Sequence, residues 1–172
     1  MERLTRHIET TSPHYFEQKF ALSEIPSVNE IQEKLIPGQL LVAYYFGENN
    51  LYSMALTDSS FHIYSTPVSK LLMNNIFQFR RAVSDWEYVK NESNEAELNY
   101  LSSAHFLFNT LLKMPLEESG GKINSLVLVP DGILGYLSFD ALLTRPINNW
   151  KSRNMPYLLK DYAISYVYGT QF

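Results

Sequence analysis

Between Gln39 and Ser65 the chain reads "QLLVAYYF", "GENN", "LYSMALT", "DSS" and "FHIYS". Apolar, aromatic-rich stretches are separated by connections too short for a crossover helix, so consecutive strands must run antiparallel. In the second stretch Leu51, Ser53, Ala55 and Thr57 alternate with Tyr52, Met54 and Leu56. That period of two defines one large apolar face and one smaller, more polar face. An antiparallel meander is the fixed point from which the remaining elements are read.

Upstream, "SVNEIQEKLIPG" carries Ser27 with Glu30 three residues on, the signature of a capping box. Val28, Ile31 and Leu35 share one helical face, and Pro37-Gly38 stops the helix. Residues 1–26 are mixed polar and aromatic, weakly helical at best from Tyr15 to Leu22, and read as a linker or the end of an upstream helical region. Downstream of the meander the period lengthens. Leu72, Ile76, Phe79, Val83 and Trp86 recur at helical spacing and predict a buried stripe. Asn94 and Glu97 mark another helix start, and Leu98, Leu101, Phe108 and Leu111 carry a second stripe ending near Pro115. After the loop "LEESGGKIN", the run "SLVLVP" is apolar on both faces and suits a strand covered by helices on both sides. "DYAISYVY" is a second strand of that kind, parallel to the first. The sum is an α/β fold: a mixed sheet with an antiparallel N-terminal meander, flanked by helices.

Composition narrows the function classes. The 172 residues fit one domain, over 27–172. Net charge is −4 and the basic residues are scattered, so nucleic acid is not expected as a partner. The densest basic group, Arg145, Lys151 and Arg153, reads as a solvated loop. There is no cysteine, which rules out a disulfide scaffold, a thiolate metal site and a cysteine nucleophile within these residues. The N-terminus lacks an apolar signal core, and no apolar run reaches the ~18 residues of a membrane helix. The expectation is a soluble, cytoplasmic protein that binds no membrane. His7, His14, His62 and His105 are dispersed, with no pair at i, i+4, so neither a metal nor a cofactor is expected. Gly120, Gly121 and Lys122 precede a strand, the wrong topology for a phosphate cradle, and read as a connector.

The segment "VLVPDGILGYLSFDAL" concentrates what chemistry remains. A loop after a parallel strand is where α/β proteins bind ligands, which draws attention to Asp131. Pro-Asp-Gly is also plain turn chemistry: Pro presets φ, Asp bonds its own backbone, Gly takes positive φ. Ser138, His105 and Asp140 could be combined into a triad, but Ser138 has no flanking glycines and nothing in the spacing favours the combination. Ser138 is expected to cap the short helix that follows, accepting a backbone N–H near Ala141. His105 is expected on a helix face with a satisfied partner.

"LVLVPDGILGYLSFDALL", followed by "YLLKDYAISYVYG", resembles the first half of the CHAT domain. CHAT domains are caspase-like modules, related to separases and associated with tetratricopeptide repeats. The family pattern is an apolar strand, Pro-Asp-Gly, a leucine, then Leu-Pro-Phe-Glu-Ala-Leu. Pro130, Asp131, Gly132, Leu134, Leu137, Phe139, Ala141 and Leu142 match it, while Ser138 replaces the usual Pro and Asp140 the usual Glu. The resemblance spans roughly Ser27 to Phe172. It implies a caspase-like fold and a cysteine peptidase whose His, in a His-Gly segment, and Cys both lie beyond Phe172. None of the four histidines here precedes a Gly, so no catalytic residue is carried over. On this reading the chain is a segment of a longer protein, a non-catalytic scaffold. Its partners are the catalytic half of the same domain and upstream tetratricopeptide repeats. Ile133, Leu134, Tyr136 and Leu137 are expected to form core between the halves, and the isolated chain to self-associate. The rival expectation is a self-standing α/β module that receives a peptide strand at a sheet edge, on the strength of the aromatic "AYYF" stretch. A third, a small hydrolase, rests on Ser138 alone.

Overall fold

A computed structural model describes residues 26–149 and 154–167. The helical tendency read over Tyr15–Leu22, two of the histidines (His7 and His14), and Lys151 and Arg153 lie outside the described residues.

The predicted meander forms as read. Strands β1 (Gln39–Phe46), β2 (Asn50–Leu56) and β3 (Phe61–Pro67) pair antiparallel. Two further strands, β4 (Ser125–Val129) and β5 (Ala163–Tyr166), add in parallel, giving the order β3-β2-β1-β4-β5. The fold is therefore α/β with a five-stranded mixed sheet flanked by helices. Among the described residues no helix is long and apolar enough to cross a membrane.

Ahead of the sheet, α1 (Val28–Gln32) opens on the expected capping box. The Ser27 N–H donates to Glu30 at 2.7 Å, and this bond holds the Glu30 carboxyl below the usual carboxylate range. The helix is a single short turn. Gln32 then anchors it by donating its amide to the carbonyls of Thr57 and Ser60 in the β2–β3 turn.

The long connection from β3 to β4 is helical: α2 (Lys70–Ser84), α3 (Trp86–Asn91) and α4 (Ser93–Phe108). Leu72, Ile76 and Phe79 are buried as the periodicity predicts. Val83 and Trp86 are not; they are 42% and 74% exposed. The stripe breaks because Asp85 leaves helical backbone (ψ 93°) and its carboxylate accepts the Tyr88 N–H, so Trp86 opens a new helix in a new phase. Burial passes to Ala82 instead. The second stripe is likewise shifted. Helix α4 starts at Ser93 with no side-chain cap, so Asn94 and Glu97 do not define its start, and Leu98 faces outward. Leu101, Phe108 and Leu111 are buried, together with Ala104 and Leu107 between them.

Pro115 does not end the helix. The chain widens into a π-turn at Asn109–Lys113 and continues as α5 (Met114–Glu117). A proline at 115 has no N–H to offer the Leu111 carbonyl, its partner in a regular α-helix. The buried Tyr44 hydroxyl of β1 donates to that carbonyl at 3.2 Å. The same burial pushes the Tyr44 phenol well above its ordinary pKa.

Cross-strand register sorts the two sheet faces. Leu40, Val42 and Tyr44, Leu51, Ser53 and Ala55, and Leu126 and Leu128 point to the helices and are buried. On β2 it is thus the smaller, more polar face that meets the helical layer, where Phe79 stacks on Tyr100 at 6.0 Å. The opposite face carries Leu41 and Leu56, both buried, and Ala43, Tyr45, Tyr52, Met54, Phe61, Ile63, Val127 and Val129, which are not. On β4, Leu126 and Leu128 are buried while Val127 and Val129 are partly buried, so among the described residues its two faces are unequally covered.

Replacing Tyr44 with Phe leaves the Leu111 carbonyl short of its side-chain donor and is expected to lower stability by about 1–3 kcal/mol. Urea unfolding measures this, with Tyr45→Phe, on the exposed face, as a control that leaves the midpoint in place.

Candidate functional site

Strand β4 ends at Val129, and Pro130–Leu143 passes from its C-terminal end into the helical layer. Asp131 does not bond its own backbone. Its Oδ2 accepts the Phe46 N–H at 2.8 Å, tying the turn to the end of β1, 85 positions away. Gly132 takes φ +54°, and a Cβ there would meet the Phe46 ring at 3.4 Å. Two 3₁₀ turns follow, at Gly132–Tyr136 and Phe139–Ala141. Leu134, Leu137, Phe139 and Leu142 are buried in the main core, and Ala141 packs at its margin. The Phe139 ring meets Tyr44 of β1 at 5.7 Å and Tyr166 of β5 at 6.3 Å.

This placement corrects the expectation for the segment's apolar residues. Leu134 and Leu137 are fully spent within this chain and leave no surface for a second half. Ile133 is partly covered, and only Tyr136, 71% exposed, remains free to meet a partner. The segment does the work of a helix, roofing the β4–β5 end of the sheet on the helical side.

The triad residues each have other roles. Ser138 is exposed and its side chain caps nothing; the Ala141 N–H goes to the Ser138 backbone carbonyl at 3.0 Å. His105 is held at both ring nitrogens. Nδ1 lies 3.1 Å from the Leu143 carbonyl, and the Asn109 amide donates to Nε2 at 2.9 Å. Asp140 accepts the Tyr166 hydroxyl at 2.5 Å. The expected helix-face role of His105 is thus what the geometry gives, while the Ser138 cap is not formed. Among the described residues no group of three or more His, Asp or Glu side chains is placed to hold a metal ion.

What the segment does build is a cleft. Ala82 and Val83 at the end of α2, Tyr100 of α4, Asp140, and Tyr157 and Leu159 around the start of α6 (Leu158–Asp161) enclose about 340 Å³. Antiparallel contacts hold its floor: Thr144 N–H to the Pro156 carbonyl and Leu158 N–H to the Leu142 carbonyl. The Tyr100 hydroxyl donates to the Ala141 carbonyl at 2.7 Å. Burial raises the Tyr100 phenol, with Tyr157 adding to it. Burial and the bond to Asp140 raise Tyr166 in the same way. Sequence periodicity could not point to this cleft, because its residues come from four separate elements and share no spacing.

No family model matches the chain, and none of the curated proteins matches it.

Two measurements follow from this geometry. Asp131→Ala strips the part-buried Phe46 N–H of its acceptor and is expected to cost about 1–3 kcal/mol, while Ser138→Ala stays within about 0.5 kcal/mol of the parent. The phenols make a second prediction. Tyr64, held by burial and by Glu118, is raised from 10.0 to about 12, and Tyr44, Tyr100, Tyr162 and Tyr166 are raised as well. Their folded pKa values exceed the unfolded one, so this stability is fully present below pH 10.0 and is lost as pH climbs through 12 and above. A phenolate absorbance titration is expected to show a late fraction that titrates together with loss of circular dichroism.

Proposed function

We propose that the chain is the non-catalytic N-terminal part of a CHAT-domain protein, of the caspase-like cysteine peptidase family, and scaffolds a catalytic half that supplies the His and the Cys. The observation that carries this reading is the one-sided sheet. Its outer face is covered at the Leu41–Leu56 end, where both residues are buried, and beyond it presents Tyr45 at 58% exposure and Ile63 at 60%, beside exposed Tyr52 and Phe61 and partly buried Met54 and Val127. A contiguous apolar face of this kind marks a surface that another body covers. The Pro-Asp-Gly block supports the reading from the other side. Its matching residues serve the core and the strand ends, as a scaffold needs, and leave no nucleophile aligned with a base. The occupant of the outer face is then the catalytic half.

A second reading has its own observation. The outer edge of β3 is unpaired among the described residues and carries no Lys, Arg, Asp or Glu, its guards being limited to His62 and the terminal Pro67. A peptide could pair there. The "AYYF" stretch cannot serve that purpose, because β1 is the central strand, flanked by β2 and β4.

Reading the coding sequence beyond Phe172 separates the two. The scaffold reading expects a His-Gly segment and then a Cys; a frame without them overturns it and favours the edge-binding module. On the isolated chain, sedimentation is expected to show self-association that Tyr45→Asp with Ile63→Asp abolishes without changing the circular dichroism. A chain that stays monomeric, or that cleaves peptides unaided, also counts against the scaffold.

A further inference from the structure

The Asp140 cleft has a chemistry that the scaffold reading does not use. Its walls are aliphatic at Ala82, Val83 and Leu159 and aromatic at Tyr100 and Tyr157. Among the described residues Asp140 is the single charged one in the lining, and it is half-buried. The Tyr166 hydroxyl fixes one carboxylate oxygen, Oδ2, and so fixes the direction of the group. Among the described residues no Lys, Arg or His forms an ion pair with it; the ion pairs present join His62 to Glu118, Arg81 to Asp85 and Lys113 to Glu117. Arg80 and Lys160, on the two helices that line the cleft, lie against rings: Arg80 is 5.1 Å from the centre of Tyr136 and Lys160 is 5.7 Å from that of Tyr157. A half-buried carboxylate, oriented by a neutral phenol and left without a counter-charge, is a receptor for a cation. Aliphatic walls and ring faces add affinity for the stem that carries it.

We infer that this cleft binds an alkylammonium group, with the stem between Val83, Leu159 and the two tyrosine rings and the ammonium on the free oxygen of Asp140. A volume of about 340 Å³ accommodates a lysine-sized chain. Two sources share this chemistry, a free small amine and a lysine side chain of a peptide. The site rests on no family resemblance, so it stands or falls separately from the scaffold reading.

The test is a titration of the intact chain, followed by amide chemical shifts, with hexylamine, its neutral analogue 1-hexanol, and lysine capped as its N-acetyl methylamide. Hexylamine is expected to bind saturably, with Kd near about 1 mM for so small a ligand, and to shift Val83, Ala141 and Leu159. Asp140→Asn is expected to weaken it at least about tenfold. The asparagine carbonyl can still accept from Tyr166, so this variant preserves the local hydrogen bond. Val83→Trp, at an exposed position, fills the mouth and abolishes binding even if the first variant is poorly folded. Capped lysine binding as well as hexylamine assigns the site to a peptide side chain; hexylamine alone assigns it to a free amine. Equal affinity for 1-hexanol, full affinity in both variants, or no saturable shift overturns the inference.

Discussion

Gln39–Ala43 and Ser125–Val129 lie side by side in parallel, and every other part of the molecule is positioned through that pairing. The two strands are separated in sequence by the rest of the meander and by the whole helical layer. Closing so long a connection costs chain entropy, which only a well-buried contact can offset. Leu40 and Val42 against Leu126 and Leu128, each no more than 1% exposed, provide it. The Asp131 carboxylate extends the junction past the end of β4 by accepting the Phe46 N–H, so the turn that leaves the sheet is locked to the strand beside it. Once that lock is in place, Phe139 falls over Tyr44 and Tyr166, and the cleft takes its shape from where Asp140 and Ala141 then lie.

A related constraint acts from the helical side. A π-turn ahead of a proline leaves backbone groups without regular partners, and in a dry core such groups are costly. Tyr44 reaches up from the middle of the sheet to the Leu111 carbonyl, while Tyr100 reaches across from α4 to the Ala141 carbonyl. Buried tyrosines thus act as struts between layers: the ring fills core volume and the hydroxyl satisfies a carbonyl that the irregular backbone has released. This gives a physical meaning to a composition rich in tyrosine.

The parts of the fold legible in the sequence are those set by local rules. Short turns forced the meander, Ser27 and Glu30 announced the cap, and Pro-Asp-Gly announced a turn at the end of a strand. The parts that were not legible depend on what a residue meets across space. Val83 and Trp86 continue an apolar period, but Asp85 resets the helix before they reach the core. Leu98 sits in phase with Leu101 by composition, yet the sheet lies on the side of Ala104 and Leu107. Ser138 is a good capping residue in front of a 3₁₀ turn that offers it nothing to cap. "SLVLVP" is equally apolar on both faces, and only the surroundings, which bury Leu126 and Leu128 and leave Val127 and Val129 partly exposed, separate them. His105 could be read correctly because its helix supplies one of its two partners, Asn109, at i+4.

The one-sided sheet and the unpaired carboxylate make different demands on whatever meets this chain. An apolar face gains from area and tolerates many partners of suitable shape. A single oriented carboxylate in a small cleft gains only when a cation of the right reach arrives, because a neutral occupant would displace water from Asp140 without replacing its hydrogen bonds. The two surfaces also sit on opposite sides of the sheet. The outer face belongs to Tyr45 and Ile63, while the cleft opens among α2, α4 and the Pro130–Leu143 segment. A body docked on the outer face therefore leaves the cleft accessible. Coupling between them has one short physical route, since Tyr166 belongs to β5 at the edge of the sheet and its hydroxyl sets the direction of the Asp140 carboxylate. Any partner that shifts β5 relative to β4 moves that hydroxyl, and with it the charge that the cleft presents.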